Sequence, residues 1–203
     1  MADIREAARG YDAGDIYNMD ETGFNWKTVP DTSLGTSQHS GGKKEKARIT
    51  AVLCSNATGT DRVLIWYIRK AARPVAFRTA RIQSLEKLGA IWRHNPTAWM
   101  DHEIMVEWLR WFDARVGRQV LLLMDNFPAH ELGLRLIEEA RGLQNVTVKW
   151  LPPNATSVHQ PLDQGIIRNW KAFVRREFIQ FIVRTFDLRY NPLSKINVLK
   201  VVR

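Results

Sequence analysis

Cysteine is nearly absent: Cys54 is the only one among 203 residues. A lone thiol excludes an internal disulfide, and no Cys/His spacing suits zinc. That usage fits a reducing compartment such as cytosol or nucleus. There is no run of about 18 apolar residues, which excludes a membrane-spanning helix. The charged start MADIREAARG lacks the apolar stretch of a secretory signal. Internal repeats and low-complexity tracts are missing as well. What remains is an ordinary globular composition, 45% apolar and 25% charged. A chain of this length buries about 70% of its unfolded surface, and one domain is the expectation.

Charge is in excess with one sign. The net charge is +9, which points to a polyanionic partner, and its distribution says more than its size. Residues 1–31 hold three Lys/Arg against seven Asp/Glu, and residues 94–167 six against nine. Residues 43–93 hold twelve against three, and residues 168–203 nine against two. Acidic and basic blocks therefore alternate along the chain.

Short strands are expected at 15–20, 48–54, 63–68, 120–124 and 146–151, from β-branched and aromatic runs bounded by turn residues. The run 120–124 (VLLLM) is wholly apolar, as a central buried strand is. Helices are expected over 101–116, 131–140 and from Asp163 to about Phe186. The last would bury Ile166, Ile167, Trp170, Phe173, Val174, Phe178, Phe181 and Ile182. Residues 31–46 read as a mobile loop and 70–98 as irregular. The order β-β-β-α-β-α-β-α implies an α/β fold, a mixed five-stranded sheet flanked by helices.

Three aspartates stand where such a sheet could gather them. Asp20 lies near the end of the first strand, and Asp125 directly follows the buried run. Asp163 is just before or at the start of the long helix. Ligand sites of open α/β sheets sit at strand carboxyl ends. Grouped carboxylates are the donors that hard divalent cations take, and paired ions can drive in-line phosphoryl displacement. Plainer readings stand beside this one: a strand-end turn for Asp20, an Asx-turn for Asp125, a helix N-cap for Asp163. Strand alternation turns Glu21 to the opposite face, so it is left out of the site. His130 and Asn126 could orient a carboxylate or touch phosphate, or be ordinary polar residues of a turn and first helical turn. Lys43, Lys44, Lys46 and Arg48 cluster on a loop, and Arg168, Lys171 and Arg175 recur at helical spacing. Both groups suit DNA backbone contacts, and a solvated charged face is the alternative.

Three blocks, IYNMDETGF (16–24), LLLMDNFPAH (121–130) and LPPNATS with QPLDQGII (151–157 and 160–167), resemble the DDE superfamily endonuclease domain. The likeness is to the pogo/Tigger/jerky branch of Tc1/mariner-like transposases. It implies a ribonuclease H-like (retroviral integrase-like) fold. It further implies that Asp20, Asp125 and Asp163 form a D-D-D set holding two Mg²⁺ or Mn²⁺ ions, with Asn126 and His130 close to the metal. The implied activity is DNA cutting at transposon ends and joining of the freed 3′ hydroxyl to target DNA, in the nucleus. A second copy of the chain is a further candidate partner. Residues 1–14 are expected as a leader and 15–203 as the catalytic domain. N-terminal helix-turn-helix domains are missing and the chain stops within a further family helix. That fits a fragment, a degraded copy or a domesticated domain. The competing expectations are a catalytically silent remnant that binds DNA or chromatin, and a nuclease for RNA–DNA hybrid.

Overall fold

The computed structural model describes residues 2–25, 48–152, 160–187 and 197–199. Six strands form one sheet: β1 (Ile16–Asn25), β2 (Arg48–Asn56), β3 (Ile65–Arg69), β4 (Ala90–His94), β5 (Val120–Met124) and β6 (Val146–Trp150). Their spatial order is β4-β3-β2-β1-β5-β6. β1, β2 and β3 pair antiparallel, whereas β4 joins β3 and β5 joins β1 in parallel, with β6 parallel to β5. This is the expected ribonuclease H-like mixed sheet with one strand more than the five expected. The extra strand is β4, in the stretch read as irregular. It has five residues, lies at the sheet edge and ends in Arg93-His94, so neither length nor alternation announces it.

Helices cover both faces. α1 (Ala2–Ala8) and the short α2 (Val75–Thr79) precede α3 (His102–Val116), α4 (Pro128–Ala140) and α5 (Ile167–Asp187). Asp101 starts α3 by accepting the Ile104 N–H at 2.9 Å, and Gly117, at φ 59°, closes it. Pro128 occupies the first turn of α4, where its missing N–H costs nothing. α3 packs its buried Ile104, Met105, Trp108, Leu109 and Phe112 with Tyr17, Met19, Leu122 and Met124, and Ile137 of α4 joins the same cluster. The opposite face meets α5 around Leu53, Leu162 and Ile167, and α1 through Ile4 against Leu121, Leu123 and Leu151. The expected leader thus includes a helix seated on the sheet.

The long C-terminal helix differs from expectation in two ways. Its first turn, Leu162–Ile166, is a π-helical turn separated from α5 by a kink at Gly165, whose φ is 131°. Its burial is also narrower. Ile167 is buried and Trp170, Phe178, Phe181 and Ile182 pack against the core, but Ile166 and Phe173 are 47% and 54% exposed. Apolar residues encircle much of this helix, so periodicity could not select the face that the sheet takes. Among the described residues, no helix is long and apolar enough to cross a membrane.

Candidate active site

β1 and β5 run parallel with Asn18 opposite Leu123. Two residues further along that register, Asp20 on β1 stands level with Asp125, just past the end of β5. Asp20 is not a turn residue: β1 continues through it to Asn25. Its carboxylate is buried, and Oδ1 accepts the Glu21 N–H at 2.7 Å.

Asp163 reaches the same edge from the π-helical turn. That turn is tied to β1 by Asn18, a buried residue whose Oδ1 accepts the Leu162 N–H at 3.1 Å. The Asn18 amide donates to the Leu123 carbonyl at 3.0 Å, so one side chain holds β1, β5 and the Asp163 turn together. Sequence reasoning missed Asn18. The available signal was a polar residue two positions before Asp20, on the same strand face. Asp163 is no helix cap: Pro161 takes the cap position, and the first N–H of the turn is accepted by Asn18 instead. Just before this turn Gln160 is fully buried, with neither side-chain amide atom hydrogen-bonded among the described residues.

The carboxylates feel one another. Burial is the largest cause pushing Asp20 up to about 8, followed by the negative charges of Glu21 and Asp163, with Asp125 contributing less. Asp163 is also raised, by burial and by Asp125, while Lys171 pulls it down. Asp125 moves the other way, because His130 hydrogen-bonds to it. His130 Nδ1 lies 2.8 Å from Asp125 Oδ1, and Nε2 lies 2.8 Å from Glu21 Oε1. Burial alone would lower the imidazole's pKa. The two carboxylate hydrogen bonds and their charges outweigh it and raise the group to about 10. Each ring nitrogen faces a carboxylate oxygen, an arrangement that favours the doubly protonated imidazolium.

Glu21 therefore belongs to this edge, contrary to the expectation that removed it. Alternation does send it to the other face of the sheet. That face is the one α4 covers, and His130 reaches from α4 to both carboxylates. His130 lies in the first turn of α4, as its plainer reading has it, but is 1% exposed and bonded to both carboxylates. The Asx-turn reading of Asp125 holds as well: Oδ1 accepts the Phe127 N–H at 3.4 Å. Asn126 is exposed on the turn beside Asp125.

The basic residues divide. On α5, Arg168 and Arg175 are exposed and Lys171 is half-buried beside Asp163. The Arg48 guanidinium instead stacks on Trp99, 3.3 Å from the ring centroid, with Nε buried and unbonded. Lys43, Lys44 and Lys46 lie outside the described residues.

The donor chemistry fits a hard divalent cation. The three aspartates offer oxygen only, and in two of them burial and neighbouring carboxylates oppose ionisation, an opposition that a bound cation would offset. Among the described residues, no three His, Cys, Asp or Glu side chains are grouped closely enough to hold an ion as they stand.

Comparison with known proteins matches the chain to one family. Residues 46–203 match the family model described as DDE superfamily endonuclease. CENP-B homolog protein 2 of Schizosaccharomyces pombe is 41% identical over 205 residues, matching all of this chain and 40% of that protein. ARS-binding protein 1 of the same organism is 38% identical over 207 residues, matching all of this chain and 39% of that protein. The human Jerky protein homolog is 30% identical over 176 residues, covering 81% of this chain and 30% of its own. The chain thus spans about two fifths of the length of the two yeast relatives. Among solved structures, a Mos1 transposase paired-end complex with left transposon end aligns at TM-score 0.46 and 12% identity, covering 83% of this chain and 44% of that one. With the matched region taking in β2 to α5 and two of the three aspartates, the chain belongs to the DDE endonuclease superfamily.

Proposed function

We propose that the chain is the catalytic domain of a metal-dependent DNA endonuclease and strand-transfer enzyme, with Asp20, Asp125 and Asp163 as its metal ligands. The observation that carries this reading is electrostatic. Asp20 and Asp163, brought from β1 and the π-helical turn to the edge where Asp125 stands, are both raised by burial and by neighbouring carboxylate charge. When bound, two Mg²⁺ or Mn²⁺ ions supply the Lewis acidity that an in-line phosphodiester displacement needs. The chain's own residues supply the rest. Lys171 places positive charge beside Asp163, and the exposed Arg168 and Arg175 on the same helix extend it for the DNA backbone. The sequence cluster Lys43, Lys44 and Lys46 adds further charge, whereas Arg48 is engaged by Trp99. Such contacts position DNA without reading its sequence. Asn126, exposed next to Asp125, is placed to meet the bound strand. A nuclear location follows from a chromosomal DNA substrate.

Nicking of supercoiled plasmid in Mn²⁺ tests the proposal. The parent should nick and Asp125→Asn should not; equal nicking by both would refute the mechanism.

A second reading is a catalytically silent domain that binds DNA or chromatin. The names of the relatives, CENP-B homolog proteins and an ARS-binding protein, favour it. Salt-sensitive DNA binding without cleavage in any divalent metal would select it over the first.

A further inference from the structure

We infer that Glu21 is a positioning residue for the candidate metal ligands, touching Asp20 through its backbone and acting on Asp125 through His130. The inference rests on the proposed metal role of the aspartates and adds a residue that role does not require. Glu21 touches both sides of the site. Its backbone N–H donates to Asp20 Oδ1 at 2.7 Å, and its carboxylate accepts from His130 Nε2 at 2.8 Å. The other ring nitrogen of His130 meets Asp125 Oδ1 at 2.8 Å and the Asp125 backbone carbonyl at 3.2 Å.

The consequence for Asp125 is orientation. His130 Nδ1 and Phe127 N both contact Oδ1. Among the described residues no hydrogen bond or ion pair engages Oδ2. A carboxylate held by one oxygen presents the other in a set direction, the usual way an outer partner prepares a metal ligand. His130 can hold it only if the ring itself is held. The ring is 1% exposed, and Phe127 packs against it edge-on at 5.6 Å. Packing confines the ring, but among the described residues only Glu21 meets Nε2. Without that acceptor Nε2–H would be a buried donor with no partner, which costs about 1–3 kcal/mol and favours a turn of the ring away from Asp125.

The fold makes this contact specific. α4 lies so close to α3 that a Cβ on Gly133 would stand 2.9 Å from Met105 Cβ. That approach, one turn after His130, brings the imidazole down to β1. The contact crosses 109 positions of sequence, so neither strand alternation nor helical spacing alone reveals it.

The test is Mn²⁺ affinity of the full chain, read from the paramagnetic resonance signal of the free ion. It uses the parent, Glu21→Gln, Glu21→Ala, His130→Asn and the His130→Asn/Glu21→Ala double variant. Glu21→Ala should weaken binding by about 10–100-fold, the usual loss for an outer partner. Glu21→Gln keeps an acceptor oxygen and should stay within about threefold of the parent. His130→Asn keeps an amide near the Nδ1 position, and adding Glu21→Ala to it should change affinity no further, because the two act as one unit. Parent-like binding by Glu21→Ala, or losses that multiply in the double variant, would overturn the inference. Asp125→Asn separates the underlying reading: if it binds Mn²⁺ as the parent does, the metal role fails and the inference with it. A second readout needs no metal. The His130 Nδ1–H signal in the ¹H–¹⁵N spectrum should be protected from exchange in the parent and lost in Glu21→Ala; an unchanged signal contradicts the inference.

Discussion

Asn18 holds Leu162: the Asn18 Oδ1 accepts the Leu162 N–H at 3.1 Å while its amide donates to the Leu123 carbonyl at 3.0 Å. A single buried amide thus sets where the turn bearing Asp163 meets the strand bearing Asp20. Asn18→Ala leaves a buried N–H and a buried carbonyl without that partner, each costing about 1–3 kcal/mol. The expected result is a lower urea midpoint, and a loss of Mn²⁺-dependent nicking that persists at temperatures where the variant is fully folded. Full activity in the folded variant would mean that Asp163 does not depend on this anchor.

The pKa of Asp20 gives a stability signature with a definite sign. Its carboxyl rises from 3.8 to about 8 in the metal-free fold, so the folded state holds the proton more tightly than the unfolded one. The stability linked to that proton is complete below 3.8 and is lost as pH rises towards 8. Asp20→Asn keeps an oxygen for the Glu21 N–H and removes the titration. The metal-free variant should therefore melt above the parent at pH 8, by about 2–4 °C for each kcal/mol recovered. It should also bind Mn²⁺ far more weakly. A variant less stable than the parent at pH 8 would contradict the burial of charge at this position.

His130 follows the same sign over a higher window. Its pKa rises from 6.5 to about 10 through Asp125 and Glu21, against the effect of burial. The stability it contributes is complete below 6.5 and is lost as pH approaches 10. Titration of the imidazole by NMR in the metal-free chain should show a ring still protonated at pH 8. A midpoint at or below 6.5 would mean that the two carboxylates do not hold it.

Close packing of α3 on α4 predicts a fourth effect. At Gly133 an added methyl meets Met105 Cβ, which is anchored to the backbone and cannot swing aside. Gly133→Ala should cost about 1–3 kcal/mol by overpacking, measured by chemical denaturation. Because His130 lies one turn earlier on α4, Mn²⁺ affinity should fall too.

The basic face of α5 is tested by salt. Each phosphate contact removed should lower the slope of log affinity against log salt by about 0.9 on duplex DNA. Arg168→Gln and Arg175→Gln should each do so while leaving the melting temperature within about 1 °C, since both side chains are exposed. An unchanged slope would remove this helix from the DNA-facing surface.

Much of this architecture is legible in the residues. VLLLM reads as a central strand because only burial on both faces tolerates five consecutive large apolar residues. Asp20 stands beside Asp125 only if their two strands are neighbours, a condition no local pattern fixes and the parallel β1–β5 pairing supplies. Other features escape for physical reasons. β4 is short, peripheral and charged at its end, and its identity comes from pairing with β3 rather than from its own pattern. The exposed Phe173 looks like core because α5 is apolar on more than one side. Glu21 is misread because alternation assigns a face, not the helix that covers it. Only the packing of α4 brings His130 within 2.8 Å of it.

The account stands most directly on where Mn²⁺ binds. Anomalous scattering from crystals soaked in Mn²⁺ should place the ion against the carboxylates of Asp20, Asp125 and Asp163. Mn²⁺ bound only elsewhere, with those three carboxylates free of metal, would contradict it.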